Sequence, residues 1–202
     1  MSTTTQTSSS DVASEAGKAL LAKYVGDMAA LESHIEEALD RQLEMAKDNP
    51  TAGALVQEFH DMVRDQRDQI VELRDSLGST GGNPIKEVGG TILGKAAGLI
   101  DKVRADAVSK ALRDDYAAFS LAAISYSMLY TTAKGVGSSQ VASAAQAGLK
   151  NYAKALQQIN QVMPDVVLAE LADEDGITVV QGVGDETRRM VDKAWSSIDQ
   201  SK

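Results

Sequence analysis

Four stretches of this chain place apolar residues three and four positions apart for some twenty residues each. The first line is Leu21, Val25, Met28, Glu32, Ile35, Leu39 and Gln42. The second is Leu55, Phe59, Met62, Ile70, Leu73 and Leu77, with Gln66 and Gln69 in or beside the seam. The third is Leu112, Tyr116, Phe119, Ala123, Tyr126 and Tyr130, and the fourth is Val141, Ala145, Leu149, Tyr152, Leu156, Ile159 and Met163. This spacing puts each line on one face of an α-helix. No single helix can bury such a face alone, and four packed together can. With only 3 prolines in 202 residues, little interrupts long helices. The expected fold class is all-α, a four-helix bundle.

Capping and breaking residues predict the boundaries. Asp11 caps a first helix that runs to about Lys47. Asn49-Pro50 ends it and starts the second, with Asn as N-cap and Pro at the first helical position. The second helix runs to about Leu77. "GSTGGN" follows, and Asn83-Pro84 opens a Gly-rich segment. The third helix spans about Asp106 to Lys134, and Ser138 or Ser139 caps the fourth. Pro164 closes the fourth, a short helical piece covers 165–172, and an irregular stretch follows. Asp185 caps a last, short amphipathic helix carrying Val191, Ala194, Trp195 and Ile198. The link between helices two and three (78–105) is too long for a neighbour turn and serves as a crossover along the bundle. The expected organisation is an N-terminal arm (1–10), the bundle (11–172) and a C-terminal extension (173–202).

Composition removes several kinds of chemistry. There is no Cys, hence no disulfide, thiolate metal site or cysteine nucleophile. A net charge of −9 repels a phosphate backbone, so no nucleic-acid partner is expected. "MSTTTQTSSS" lacks the basic-then-apolar order of a secretory signal, and no apolar run is long enough to span a bilayer, so the expected location is the cytoplasm. The segment 84–104 could lie on a membrane as an amphipathic helix. Scarce Trp and Phe and the acidic balance argue against that. "GGTILGKA" (89–96) imitates a phosphate loop, but Ala96 stands where Ser or Thr must hold Mg²⁺, and no strand precedes it. No Ser-His-Asp arrangement can be placed.

A metal centre is the candidate with a physical basis. Helical bundles hold two irons with carboxylates and His projecting inward. Glu32 falls in the apolar stripe of helix one and needs a partner there. On helix two, within "DMVRDQRDQIVELRD" (61–75), Asp65 is the residue expected to face inward. The rest of that stretch reads as a solvated face of short-range ion pairs. Asp114 and Asp115 precede helix three's core. From Tyr116 to Pro164 there is no Asp, Glu or His, so half of the bundle offers no conventional ligand. His34 and His60 flank the stripes as boundary residues. The Tyr residues are expected to pack in the core with hydroxyls reaching Gln or Ser. No catalytic or cofactor-binding residue is expected. The alternative is a weak iron or manganese site on Glu32, Asp65, Asp114 and Asp115.

"YVGDMAALESHIEEAL", "FHDMVRDQRDQIVELRDSLG" and "YAAFSLAAISYSMLYTTAKGVG" resemble the YciE/YciF-type bacterial ferritin-like domains over roughly residues 20 to 165. The resemblance implies a ferritin-like bundle with a long crossover, a cytoplasmic location, dimers and a link to stress responses. It also implies metal-ligating Glu and His on the four helices. Glu32 matches the helix-one ligand. The helix-two pair reads Asp65 and Gln69, the helix-three positions fall at Ala117 and Ser120, and helix four reads "GLKNYAKALQQINQ". These departures undercut ferroxidase, peroxidase and storage activities. The expected function is a stress-associated structural or interaction protein without an intact di-iron site, pairing with itself or with another protein.

Overall fold

A computed structural model describes residues 13–47, 49–78 and 107–199. These residues form five helices: α1 (Glu15–Ala46), α2 (Gly53–Ser76), α3 (Val108–Val136), α4 (Ser139–Ala172) and α5 (Val183–Asp199). No strand occurs among the described residues. The all-α bundle predicted from the apolar stripes is the fold observed.

The helix ends follow local hydrogen bonding. Ser14, and not Asp11, caps α1: its hydroxyl accepts the Gly17 N–H at 3.1 Å. Asn49 does not cap α2 as predicted: its Oδ1 accepts from the Thr51 and Ala52 N–H groups and so closes a turn that contains Pro50, while α2 itself begins at Gly53 after Ala52, with no side-chain cap. Ser138 caps α4 through the Val141 N–H. Gly137, at φ 83°, lets the chain reverse between α3 and α4. Ala107 offers α3 no side-chain cap, and Glu170 of α4 supplies one by accepting from the Ser109 backbone N–H at 2.8 Å and from its hydroxyl.

That last contact explains a departure from the sequence reading. α4 does not stop at Pro164 but continues to Ala172. A mid-helix Pro costs about 3 kcal/mol or more. Against that, the continued turns bury Val166 completely and hold Glu170 under the start of α3.

Side-chain contacts fix the topology. Asp40 meets His60 and Glu36 meets Arg67, so α1 and α2 are antiparallel. Glu32 meets Tyr126 and Gln42 meets Asp115, so α1 and α3 are antiparallel too. Hence α2 and α3 run parallel, at opposite corners, each packed between α1 and α4. Two parallel helices in sequence are joined from one end of the bundle to the other, about 36 Å for the 24 residues of α2. This is the arrangement with one long crossover, as in ferritin-like folds. The Gly-rich segment itself, with Gly90, Gly94, Gly98 and the phosphate-loop imitation, lies outside the described residues.

Large side chains fill the centre. Phe59 meets Phe119 edge-on at 5.1 Å, Phe119 tilts against Tyr152 at 5.4 Å, and Tyr152 stacks on Tyr126 at 5.9 Å. Gly148 makes room for this column. A Cβ at that position would lie 2.5 Å from the Tyr126 ring. Gly148→Ala should therefore destabilise the protein by about 1–3 kcal/mol through overpacking, despite Ala's better helix propensity. Gly26→Ala, on α1 with open space around it, should stabilise by up to about 1 kcal/mol. Chemical denaturation of the two variants checks both signs.

Candidate functional site

Glu32 lies in the middle of α1 and is 0 % exposed. A lone carboxyl there would cost several kcal/mol. It is not alone. The Tyr126 hydroxyl of α3 donates to Oε1 at 2.5 Å, and the Tyr152 hydroxyl of α4 donates to Oε2. Both carboxyl oxygens are thus engaged by phenols. Burial nevertheless outweighs the two hydrogen bonds, and with Glu36 nearby the Glu32 pKa is pushed up to about 7. The same burial, together with Glu32 itself, drives both phenols well above their ordinary range, so they remain donors.

Glu36, one turn along α1, is also buried and pairs with Arg67 of α2. Gln66 of α2 is the inward residue of its turn, 1 % exposed, and its Oε1 accepts from Asn151 of α4 at 2.9 Å. The expectation for Asp65 is overturned: its side chain is 70 % exposed, beside Arg64. One residue on a helix is a turn of about 100°, so Gln66 faces in and Asp65 faces out. Gln69 is exposed as well.

A second buried polar pair sits three turns away. Gln42 Nε2 donates to Asp115 Oδ1 at 2.7 Å, and both residues are buried. Gln42 Oε1 and Asp115 Oδ2 make no hydrogen bond. Burial, with Asp114 adjacent, pushes the Asp115 pKa up to about 7. A protonated Asp115 has an O–H to give, and Gln42 Oε1 lacks a donor, so an acid–amide pair would satisfy both atoms. Asp115 is therefore a core residue and not, as expected from its position, a group reaching toward a peripheral cation at the bundle end. Asp114 turns outward to Arg113 at 2.7 Å.

The predicted ligands Glu32, Asp65, Asp114 and Asp115 do not converge. Among the described residues no three His, Asp or Glu side chains gather where they could hold a metal. His60 is buried, with Nε2 2.8 Å from Asp40, and His34 is half-buried. Of the positions tied to the helix-three ligands, Ala117 is exposed and Ser120 bonds back to the Tyr116 carbonyl. The residue that faces Glu32 from α3 is Tyr126. A di-iron centre needs carboxylates and imidazoles from four helices. The centre here offers Glu32, two phenols and the amides of Gln66 and Asn151, with the neighbouring Glu36 tied to Arg67, and this donor set does not fit such a centre.

The charged residues of the 61–75 stretch of α2 are mostly solvated, as its composition implied. Arg64 pairs with Asp61 at 3.0 Å, while Arg67 joins Asp68 and reaches across to Glu36.

Residues 18–172 match the family model described as Domain of unknown function (DUF892). The chain belongs to the DUF892 family. The match ends at Ala172, the last residue of α4, so α5 lies beyond the DUF892 region. No curated protein and no solved structure matches the chain significantly. Nothing in the periodicity alone paired Glu32 with two tyrosines. The signal that could have found it is their common depth: Glu32, Tyr126 and Tyr152 each fall in the middle of a stripe.

The two raised carboxyls set the pH response. Unfolded, Glu32 titrates near 4.5 and Asp115 near 3.8, and folded both titrate near 7. Below the unfolded values both states hold the protons and these groups give no slope. Between there and about pH 7 only the folded protein holds them, so their contribution makes stability fall as pH rises. Above 7 the loss is complete. Glu32→Gln and Asp115→Asn should each flatten this fall, by on the order of 1–3 kcal/mol, in urea melts at pH 5 and pH 8. Tyr152→Phe removes a donor from a buried carboxyl and should cost about 1–3 kcal/mol at pH 8.

Proposed function

We propose that this DUF892 protein is a ferritin-like scaffold whose centre is a hydrogen-bonded structural plug, and that it acts through its surfaces as an interaction protein. The observation that carries the reading is the engagement of both Glu32 oxygens by Tyr126 and Tyr152. With Glu32 on α1 and phenols on α3 and α4, the centre has no donor set for two metal ions. The association with stress and the cytoplasmic setting belong to this reading through the family resemblance. Among the described residues no helix is long and apolar enough to cross a membrane.

An outward face of α3 supports the interaction role. From Tyr116 to Ala133 the sequence has no charged residue, although 24 % of the chain is charged. Ile124 and Met128, one turn apart, are more than half exposed. The hydroxyls of Ser125, Ser127, Thr131 and Thr132 bond back to carbonyls of their own helix. Their one donor each is already satisfied within the helix, which lowers the desolvation cost of covering the face. A second copy, equally acidic, would be repelled elsewhere and meets least repulsion here.

Two measurements test the reading. Protein purified without chelator should carry background iron and manganese in both the wild type and Glu32→Ala. Stoichiometric metal in the wild type, lost in the variant, would establish the weak iron or manganese protein instead. Sedimentation velocity should give a dimer for the wild type and a smaller species for the Ile124→Asp/Met128→Asp double variant. A wild-type monomer at all concentrations would remove self-association from the reading.

A further inference from the structure

α5 is pinned at one end and stands off at the other. Near its start, Gly184 packs closely: a Cβ there would come within 3.0 Å of Asp165 and 3.3 Å of Leu168. Arg188 binds Asp165 at 2.8 Å and Asp185 at 2.7 Å, and Gln161 donates to Asp192 at 3.2 Å. Beyond Asp192 the described residues 193–196 are exposed. Trp195 remains 58 % exposed. It forms one wall of a groove of about 750 Å³, with Tyr116 of α3 and Leu156 of α4 among the facing residues and Val191 on its own helix. A groove of this size suits a small molecule, and clefts that bind them are mainly apolar with a few polar groups.

The lining limits the ligand. Its polar groups are Tyr116, the amides of Gln157, Asn160 and Gln161, Ser196 and the carboxylate of Asp192. Among the described residues Asp192 is the one charged residue of the lining, and no described basic residue contributes to it. Arg188, one turn before Asp192 on α5, is already held by two carboxylates. An anion would find no counter-charge and would meet a chain of net charge −9. A cation finds the carboxylate of Asp192 in the same lining as the indole of Trp195 and the phenol of Tyr116, and aromatic rings of this kind attract organic ammonium groups.

We propose that the groove between α3, α4 and α5 binds a small organic cation with an apolar or aromatic body, using Trp195 and Tyr116 as walls and Asp192 as counter-ion. This site is separate from the Glu32 centre and does not depend on the scaffold reading. One side of the groove comes from α3 and α4, inside the DUF892 match, and α5, beyond the match, supplies the other.

Trp195 is the only Trp of the chain, so its fluorescence reports on this groove directly. The full-length protein is titrated with benzyltrimethylammonium, with benzyl alcohol as the neutral comparison and benzoate as the anion. The expected result is a saturable change in Trp195 emission with the ammonium compound and none with benzoate. Benzyl alcohol and the variants Asp192→Asn and Tyr116→Leu should each bind or respond roughly two- to thirtyfold more weakly, the span expected for a cation–π or exposed counter-ion contact. Calorimetry on the same samples separates binding from collisional quenching. Equal affinity for benzyl alcohol, unchanged affinity in both variants, or no saturable response to the cation would each overturn the proposal. Because Asp192 is exposed and Tyr116 only half-buried, loss of fold in both variants is not expected, and circular dichroism verifies it.

Discussion

A carboxyl group in the middle of a helical bundle must be answered, and the way Glu32 is answered organises this molecule. Its oxygens bond to one phenol from α3 and one from α4, so three helices converge on a single side chain. The phenols belong to a column of rings, Phe59, Phe119, Tyr152 and Tyr126, that fills the centre. Gly148 exists as a gap for one of those rings. A polar contact and a packing arrangement are thus the same structure. The hydrogen bonds orient rings that would otherwise slide, and the rings exclude the water that would otherwise solvate the carboxyl.

That solution occupies the place where a ferritin-like bundle would carry metal ligands. Two phenols and an amide do not substitute for carboxylates and imidazoles around a divalent pair, because several negative donors are needed to offset the charge. What the phenols do well is satisfy one carboxyl in either protonation state: a hydroxyl donates to a carboxylate and accepts from a carboxylic acid. The centre therefore tolerates a proton coming and going near neutral pH, at the cost of stability above it. The same holds for Asp115 with Gln42, whose amide can also donate and accept.

Much of this was legible in the sequence, and the failures have definite causes. The stripes on α1 and α4 named buried residues directly, including Glu32 and Gln42, because a long regular spacing averages out local exceptions. On α2 the pattern is broken by Gln66 and by charged neighbours, and assigning Asp65 inward missed by one residue. On α3 the true inner face is Leu112, Asp115, Phe119, Ala122, Tyr126, Leu129 and Ala133. Tyr116 and Tyr130 drew the predicted line aside because tyrosine counts as apolar at a boundary it merely covers. Pro164 reads as a stop because nothing local reveals that Glu170 caps another helix, at Ser109, 61 residues away in the chain. Depth is written in periodicity; which helix faces which is not.

The distribution of polar contacts explains why these four helices pack in one register. α1 with α2, and α3 with α4, form two hairpins. Between the hairpins lie Glu32 with Tyr126 and Tyr152, Gln42 with Asp115, and Gln66 with Asn151. Apolar contacts discriminate less between registers, since small and aliphatic side chains recur along much of the buried faces. A slip of one turn here, about 5.4 Å, would leave two buried carboxyls and an amide without partners. Each orphan costs about 1–3 kcal/mol, more if charged, so the sum rivals the whole stability of an ordinary domain. The polar pairs need not add net stability to have this effect. They penalise every competing alignment of the two hairpins, and that penalty is what selects the observed one.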